Sequence, residues 1–152
     1  MGLLRTLQLT ALDRYAGYGA VFIRLLVGHR LVLGTLDNVV SHEQMRTFAA
    51  FLGENGFPLP LASAYLSAYT QFACGILILL GAFTRPAAAV MAVNFIVALA
   101  MVHVGDTYEE SFDALAMLAG SLFLLFHGAG ALSVDAALAK RDATSGGRVA
   151  AA

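Results

Sequence analysis

The chain has 152 residues, 59% of them hydrophobic and only 12% charged, with a net charge of -1 and a mean hydropathy of +0.77. Soluble domains carry about 25% charged residues, so this composition argues against a soluble globule and for membrane spans. With no excess of cations to displace counterions from phosphates, nucleic acid is excluded as a partner.

Residues 1–14 place Leu3, Leu4, Leu7 and Ala11 on one helical face, with Arg5, Gln8 and Arg14 elsewhere. This is the pattern of an amphipathic segment lying at the membrane surface. Gln8 and Thr10 break the apolar stretch a signal peptide would need. Met1-Gly2-Leu3-Leu4-Arg5-Thr6 fits the loose N-myristoylation pattern and is read as a chance match. Residues 16–36 form the first expected span, interrupted by Arg24, His29 and Arg30. In the loop that follows, Ser41-x-x-Gln44 has the form of a capping box and predicts a short interfacial helix through Phe48, Phe51 and Leu52. Gly56-Phe57-Pro58-Leu59-Pro60 then stops the helix.

Residues 61–83 and 86–103 are two long apolar runs joined around Arg85-Pro86, read as a transmembrane hairpin. Each has one strongly polar residue near its middle, Gln71 and Asn94. After the acidic loop Gly105–Glu110, the fourth span is expected over 111–129, and residues 136–152 as a flexible cytoplasmic tail. The fold class is therefore an all-α membrane four-helix bundle, with 15–135 as the four-span domain. Arg5, Arg14, Arg85, Lys140, Arg141 and Arg148 fall on one side, so both termini are expected in the cytoplasm, with Tyr65, Tyr69 and Tyr108 toward the outer interface.

Helical periodicity assigns the inward faces. Small and polar residues align as Gly17, Ala20, Arg24, Gly28 and Thr35 in the first span, and as Ala64, Ser67, Ala68, Gln71, Cys74 and Gly75 in the second. The third aligns Ala87, Asn94 and Ala98; the fourth aligns Asp113, Ala116, Met117, Gly120 and Leu124. Small residues let helix backbones approach in a membrane. Counting along the spans puts Arg24, Gln71 and Asn94 near the midplane, and an unpaired cation there would cost at least ~2.5 kcal/mol. The expectation is a polar centre in which Gln71, Asn94 and backbone carbonyls hold Arg24. It would serve either as a ligand site or as a knot keeping the helices in register. A secondary cluster pairs Arg30 with Asp37 or Asp113.

His103, Asp106, Glu109, Glu110 and Asp113 are the densest set of candidate metal ligands. The sequence has no His-x-x-x-His or Glu-x-x-His helical pair, so a solvated acidic loop is the better reading and no metal is expected. His29, His103 and His127 fall at different depths, which disfavours haem. Cys74 is the sole cysteine, which rules out dithiol chemistry within the chain. Motifs for hydrolysis or phosphoryl transfer are missing.

Four stretches in succession carry a family resemblance: Arg24-Leu25-x-x-Gly28; Phe51-x-x-x-x-Gly56-x-Pro58-x-Pro60; Gly75-Ile76-Leu77-Ile78-Leu79-Leu80-Gly81-Ala82-Phe83-Thr84-Arg85; and Gly128-Ala129-Gly130-Ala131-Leu132-Ser133-Val134-Asp135. Spanning roughly residues 20–138, they resemble the DoxX family of small four-span membrane proteins. The chain departs from that pattern at Gln71, where the family usually carries a glutamate, and at Asp113, where a glutamate is often found. The resemblance implies a place in membrane redox biology, since some relatives are subunits of a thiosulfate:quinone oxidoreductase and others associate with complexes handling thiols and oxidative stress. The resulting expectation is an accessory or anchor subunit in the inner membrane, in contact with the bilayer and with other membrane or redox subunits. It would have no covalently bound cofactor and no catalysis by the isolated chain, and a quinone would be the ligand of Arg24, Gln71 and Asn94. The alternatives are a small-solute transporter or channel using the same polar centre, and a purely structural assembly subunit. Leu31, Ile78, Val97 and Leu124 interrupt any continuous polar path, which favours an enclosed pocket or a knot.

Overall fold

A computed structural model describes residues 9–149. After a 3-10 turn at Thr10–Tyr15 come six helices: α1 Ala16–Val40, α2 His42–Glu54, α3 Pro60–Leu80, α4 Thr84–Met101, α5 Tyr108–His127 and α6 Val134–Val149. Most of the amphipathic segment read over 1–14, and the myristoylation pattern, lie outside the described residues.

α1, α3, α4 and α5 are long and apolar enough to cross a membrane. Phe22, Leu26, Leu66, Val93 and Phe126 stay well exposed, as lipid-facing side chains do in a bundle whose solvent is hydrocarbon. The first span extends to Val40, beyond the expected end at residue 36. Ser41 starts α2 as expected, its hydroxyl accepting from the Gln44 backbone N–H at 3.4 Å. The amphipathic α2 buries Met45, Ala49 and Leu52 against Ala64 and Ala68 of α3. Thr107 and Glu110 close a full capping box at the start of α5. Of the stretch 136–152 read as a flexible tail, residues 136–149 belong to the helix α6, started by Ser133, whose hydroxyl accepts from Ala136 N–H at 3.1 Å, and the remainder lies outside the described residues.

The closest pairings are α1 with α3 and α4 with α5, while α1 meets α5 more loosely. Gly28 and Gly75 mark the α1–α3 crossing. A Cβ on Gly28 would stand 2.9 Å from the Gly75 carbonyl oxygen, and one on Gly75 would stand 2.9 Å from Leu31 Cβ. Small residues here let the backbones touch. Val27, Leu31, Ile78, Met91 and Leu124 fill the shared core. On α5 the buried positions are Ser111, Ala114, Met117, Ser121 and Leu124, so the inward face is rotated slightly from the expected one and Asp113 stands at its edge.

The bundle has two unlike ends. At the terminal end lie the 3-10 turn, the α3–α4 turn, the α5–α6 connection and the start of α6. At the other end α2 packs on α3 and α1, and α5 begins. Tyr65 and Tyr108 share the α2 end, where the Tyr65 hydroxyl pairs with His42 Nδ1 at 2.9 Å.

Candidate functional site

The four C-terminal carbonyls of any α-helix lack intrahelical partners. At the terminal end, α3 meets this need with a side chain from α1. Arg24 is 3% exposed; its Nε donates to Ile78 O at 3.0 Å and its Nη2 to Leu79 O at 2.8 Å. Nη1 donates to Ala129 O at 3.0 Å, with longer contacts of 3.4 and 3.3 Å to Ala131 O and Leu132 O. A cation at a helix C-terminus also meets the negative end of the helix dipole. Gly81 turns the chain here at φ 66°, and a Cβ on it would stand 2.7 Å from Arg24 Cζ. Only glycine meets both demands without strain.

Asp135, at the start of α6, completes this arrangement. Its carboxylate accepts from Phe83 N–H at 2.8 Å and Thr84 N–H at 3.0 Å, capping α4. Its own N–H donates to Gly81 O at 2.9 Å, and its charge acts on that of Arg24. Ala131 N–H donates to Gly17 O at 2.9 Å, tying the α5–α6 connection back to α1. The motif Gly128–Asp135 is thus a clasp joining α1, α3, α4 and α6. Among the described residues, one buried side-chain polar atom has no partner, the Thr84 hydroxyl.

The expected meeting of Arg24 with Gln71 and Asn94 does not occur. α1 runs Ala16–Val40, so its middle falls at residue 28 and Arg24 lies about 6 Å short of it on the terminal side at 1.5 Å per residue. Residue counting on a shorter span placed it too deep. Gln71 is seven residues before Ile78, or about 10 Å along α3. Gln71 and Asn94 instead meet through Ser67. Gln71 Nε2 donates to Ser67 Oγ at 2.9 Å, and that hydroxyl donates to Asn94 Oδ1 at 3.1 Å. The relay leaves the Asn94 amide N–H groups and the Gln71 carbonyl without a hydrogen-bond partner among the described residues.

The relay forms the polar floor of a groove of about 460 Å3 between α3 and α4, with α2 at one end. Leu66, Val90, Val93 and Phe57 supply apolar walls. Leu66 and Val93 are 73% and 62% exposed, so the groove opens on the lipid-facing side of the bundle. On its other side Gln71 lines a second cavity of about 470 Å3 at the α2 end, whose wall includes Arg30, Asn38, His103, Glu110 and Asp113. Arg30 Nη2 pairs there with Asp113 Oδ2 at 3.0 Å, both side chains more than half exposed. Asp113, not Asp37, is therefore the partner of Arg30. A third, mainly apolar groove of about 790 Å3 follows the loose α1–α5 seam, beyond the same ion pair.

Of the candidate metal ligands, His103 and Asp106 meet at 2.8 Å. Glu110 is engaged with Thr107, whose N–H and hydroxyl both donate to Oε2 at 2.8 Å. Glu109 does not join His103 and Asp106; among the described residues no three His, Cys, Asp or Glu side chains gather. Sequence reasoning missed the cap made by Asp135 and the place of Asn38 in the cavity wall. Asp135 caps a helix start some fifty positions earlier, which no local pattern signals. Asn38 was within reach, because it follows Thr35 by three residues on the face of Arg24, Gly28 and Leu31.

Four membrane-length helices, a buried arginine clasp at one end and polar cavities at the other define an integral membrane protein of the helical-bundle class. The chain belongs to the DoxX family, whose family profile matches residues 19–104. It is similar to an uncharacterized membrane protein of Mycobacterium tuberculosis, with 32% identity over 142 residues covering 84% of this chain and 86% of that one. No solved structure matches the chain.

Proposed function

We propose that this protein is an accessory or anchor subunit of a quinone-linked redox complex in the inner membrane, with both termini in the cytoplasm. The orientation rests on the basic residues grouped at the terminal end. The observation that carries the quinone reading is the α3–α4 groove: its walls are apolar, it opens toward lipid, and its floor presents the unused Asn94 N–H groups and Gln71 carbonyl. Ligand pockets of this kind combine apolar walls with a few placed polar groups, and a quinone needs both. Asn94 would donate to a ring carbonyl, Gln71 would orient the Asn94 amide through the Ser67 relay, and Leu66, Val90 and Val93 would hold the isoprenoid tail. When bound, a quinone supplies two-electron, two-proton redox capacity, while the chain's own residues bind it and exclude water. Arg24, its donors committed to carbonyls, contributes by holding the bundle closed rather than by touching the ligand.

The test is purification from native membranes in mild detergent, with mass spectrometry of copurifying proteins and extraction of quinone. Redox subunits and close to one quinone per chain are expected, with quinone lost in Asn94→Leu while partners are retained. If neither quinone nor redox subunits copurify, and the protein instead moves solute into proteoliposomes, the anchor reading fails and the transporter reading replaces it.

A further inference from the structure

The cavity at the α2 end differs in chemistry from the groove beside it. Arg30 gives it a cation; Glu110 and Asp113 give it two carboxylates. Asp113 is matched by Arg30 at 3.0 Å through Oδ2. Glu110 uses only Oε2 in its cap with Thr107 and has no basic partner among the described residues; His103, also in the wall, is engaged by Asp106 at 2.8 Å, so the remaining charges of the cavity leave one carboxylate in excess. Asn38 makes no side-chain hydrogen bond among the described residues, and the Gln71 carbonyl is likewise open. Leu31, Phe95 and Met117 add an apolar wall.

Each kind of ligand meets these walls differently. A dianion would find one guanidinium and a surplus of carboxylate, and like charges at close range repel. A purely apolar molecule would leave desolvated charges and amides unpaired, at a cost of ~1–3 kcal/mol for each group. A simple cation could use the carboxylates and the amide carbonyls but would leave the Arg30 donors and the apolar wall unused. A molecule with an ammonium and a carboxylate on adjacent carbons, together with an apolar side chain, meets all three kinds of wall. We propose that this cavity binds a small zwitterion of amino-acid type. Its carboxylate faces Arg30 and Asn38, its ammonium faces Glu110 and the free oxygen of Asp113, and its side chain faces Leu31, Phe95 and Met117. At about 470 Å3 the cavity has room for such a molecule. The site does not depend on the quinone reading, although Gln71 forms part of both walls.

Calorimetry on the purified full-length protein in detergent micelles tests this with three probes of one shape: L-leucine, 4-methylpentanoate, which lacks the ammonium, and isoamylamine, which lacks the carboxylate. Saturable binding of L-leucine is expected, with each half-charged analogue at least about tenfold weaker, the factor for losing one charged hydrogen-bond partner. Arg30→Gln should weaken L-leucine about tenfold without weakening isoamylamine, since it frees Asp113 for an ammonium. Asn38→Leu, which removes the amide facing the ligand carboxylate without touching the ion pair, should weaken L-leucine about tenfold and keeps the test sound if Arg30→Gln folds poorly. Equal binding of L-leucine and isoamylamine, preference for 4-methylpentanoate, or no binding of any probe would each overturn the proposal. Quinone content in the Asn38→Leu protein should be normal, so failure here is separable from failure of the quinone reading.

Discussion

The two ends of the bundle use polar residues in opposite ways. At the terminal end, all three guanidinium nitrogens of Arg24 donate to main-chain carbonyls, and both Asp135 oxygens accept main-chain N–H groups. At the α2 end, Asn94, Gln71 and Asn38 have open bonding capacity, and Arg30 and Asp113 pair with both side chains more than half exposed. A saturated buried network gives rigidity, and removing one member exposes the desolvation cost of the rest. An unsaturated, accessible one leaves groups free for a ligand. The comparison teaches that the most deeply buried charge among the described residues is architectural, and that open hydrogen-bonding capacity lies with the half-buried amides.

That contrast can be broken by mutation. The largest loss should come from Arg24→Ala, which strands carbonyls of two segments and the Asp135 charge. About 3–5 kcal/mol is expected, as for removing one partner of a buried charged network, read as failure to fold or as a much lower Tm in detergent. Arg24→Lys should rescue only part of this, because an ammonium cannot reproduce the planar fork. Asp135→Ala should cost ~1–2 kcal/mol through the lost α4 cap, with faster proteolysis of the 128–149 stretch as a second readout. Gln71→Leu combined with Asn94→Leu should change stability by only ~0.6 kcal/mol for the one interhelical bond lost while reducing copurifying quinone. A double variant as unstable as Arg24→Ala would collapse the distinction between the ends. Thr84→Val should be the mildest, neutral or stabilising by up to ~1 kcal/mol in a thermal melt, since it removes a buried hydroxyl that has no partner.

Much of the bundle was legible along the chain. Apolar runs long enough to span gave the four crossings, Ser41-x-x-Gln44 gave the start of α2, and the small-residue faces gave Gly28 and Gly75 as contact points. These depend on local periodicity and on the length a bilayer demands. Two readings failed for a shared reason. The depth of Arg24 depended on where α1 ends, and the side of Asp113 depended on how α5 is rotated; both are set by packing rather than by local pattern. The helix α6 escaped because Gly146 and Gly147 lower local propensity, whereas its start is tied to Gly81 and the α4 N-terminus by tertiary bonds.

The sequence by itself determined that this is a membrane bundle, which residues of the first two spans face inward, and that a buried cation must find partners, because hydrocarbon tolerates no unpaired charge. Only the tertiary structure decided which partners. The free carbonyls at the end of α3 and along the α5–α6 connection converge on Arg24 from positions more than fifty and more than one hundred residues away. With those contacts made, Gln71 and Asn94 keep open groups at the edge of a lipid-facing groove. Such long-range closure depends on how helices cross, and no spacing within one helix encodes it.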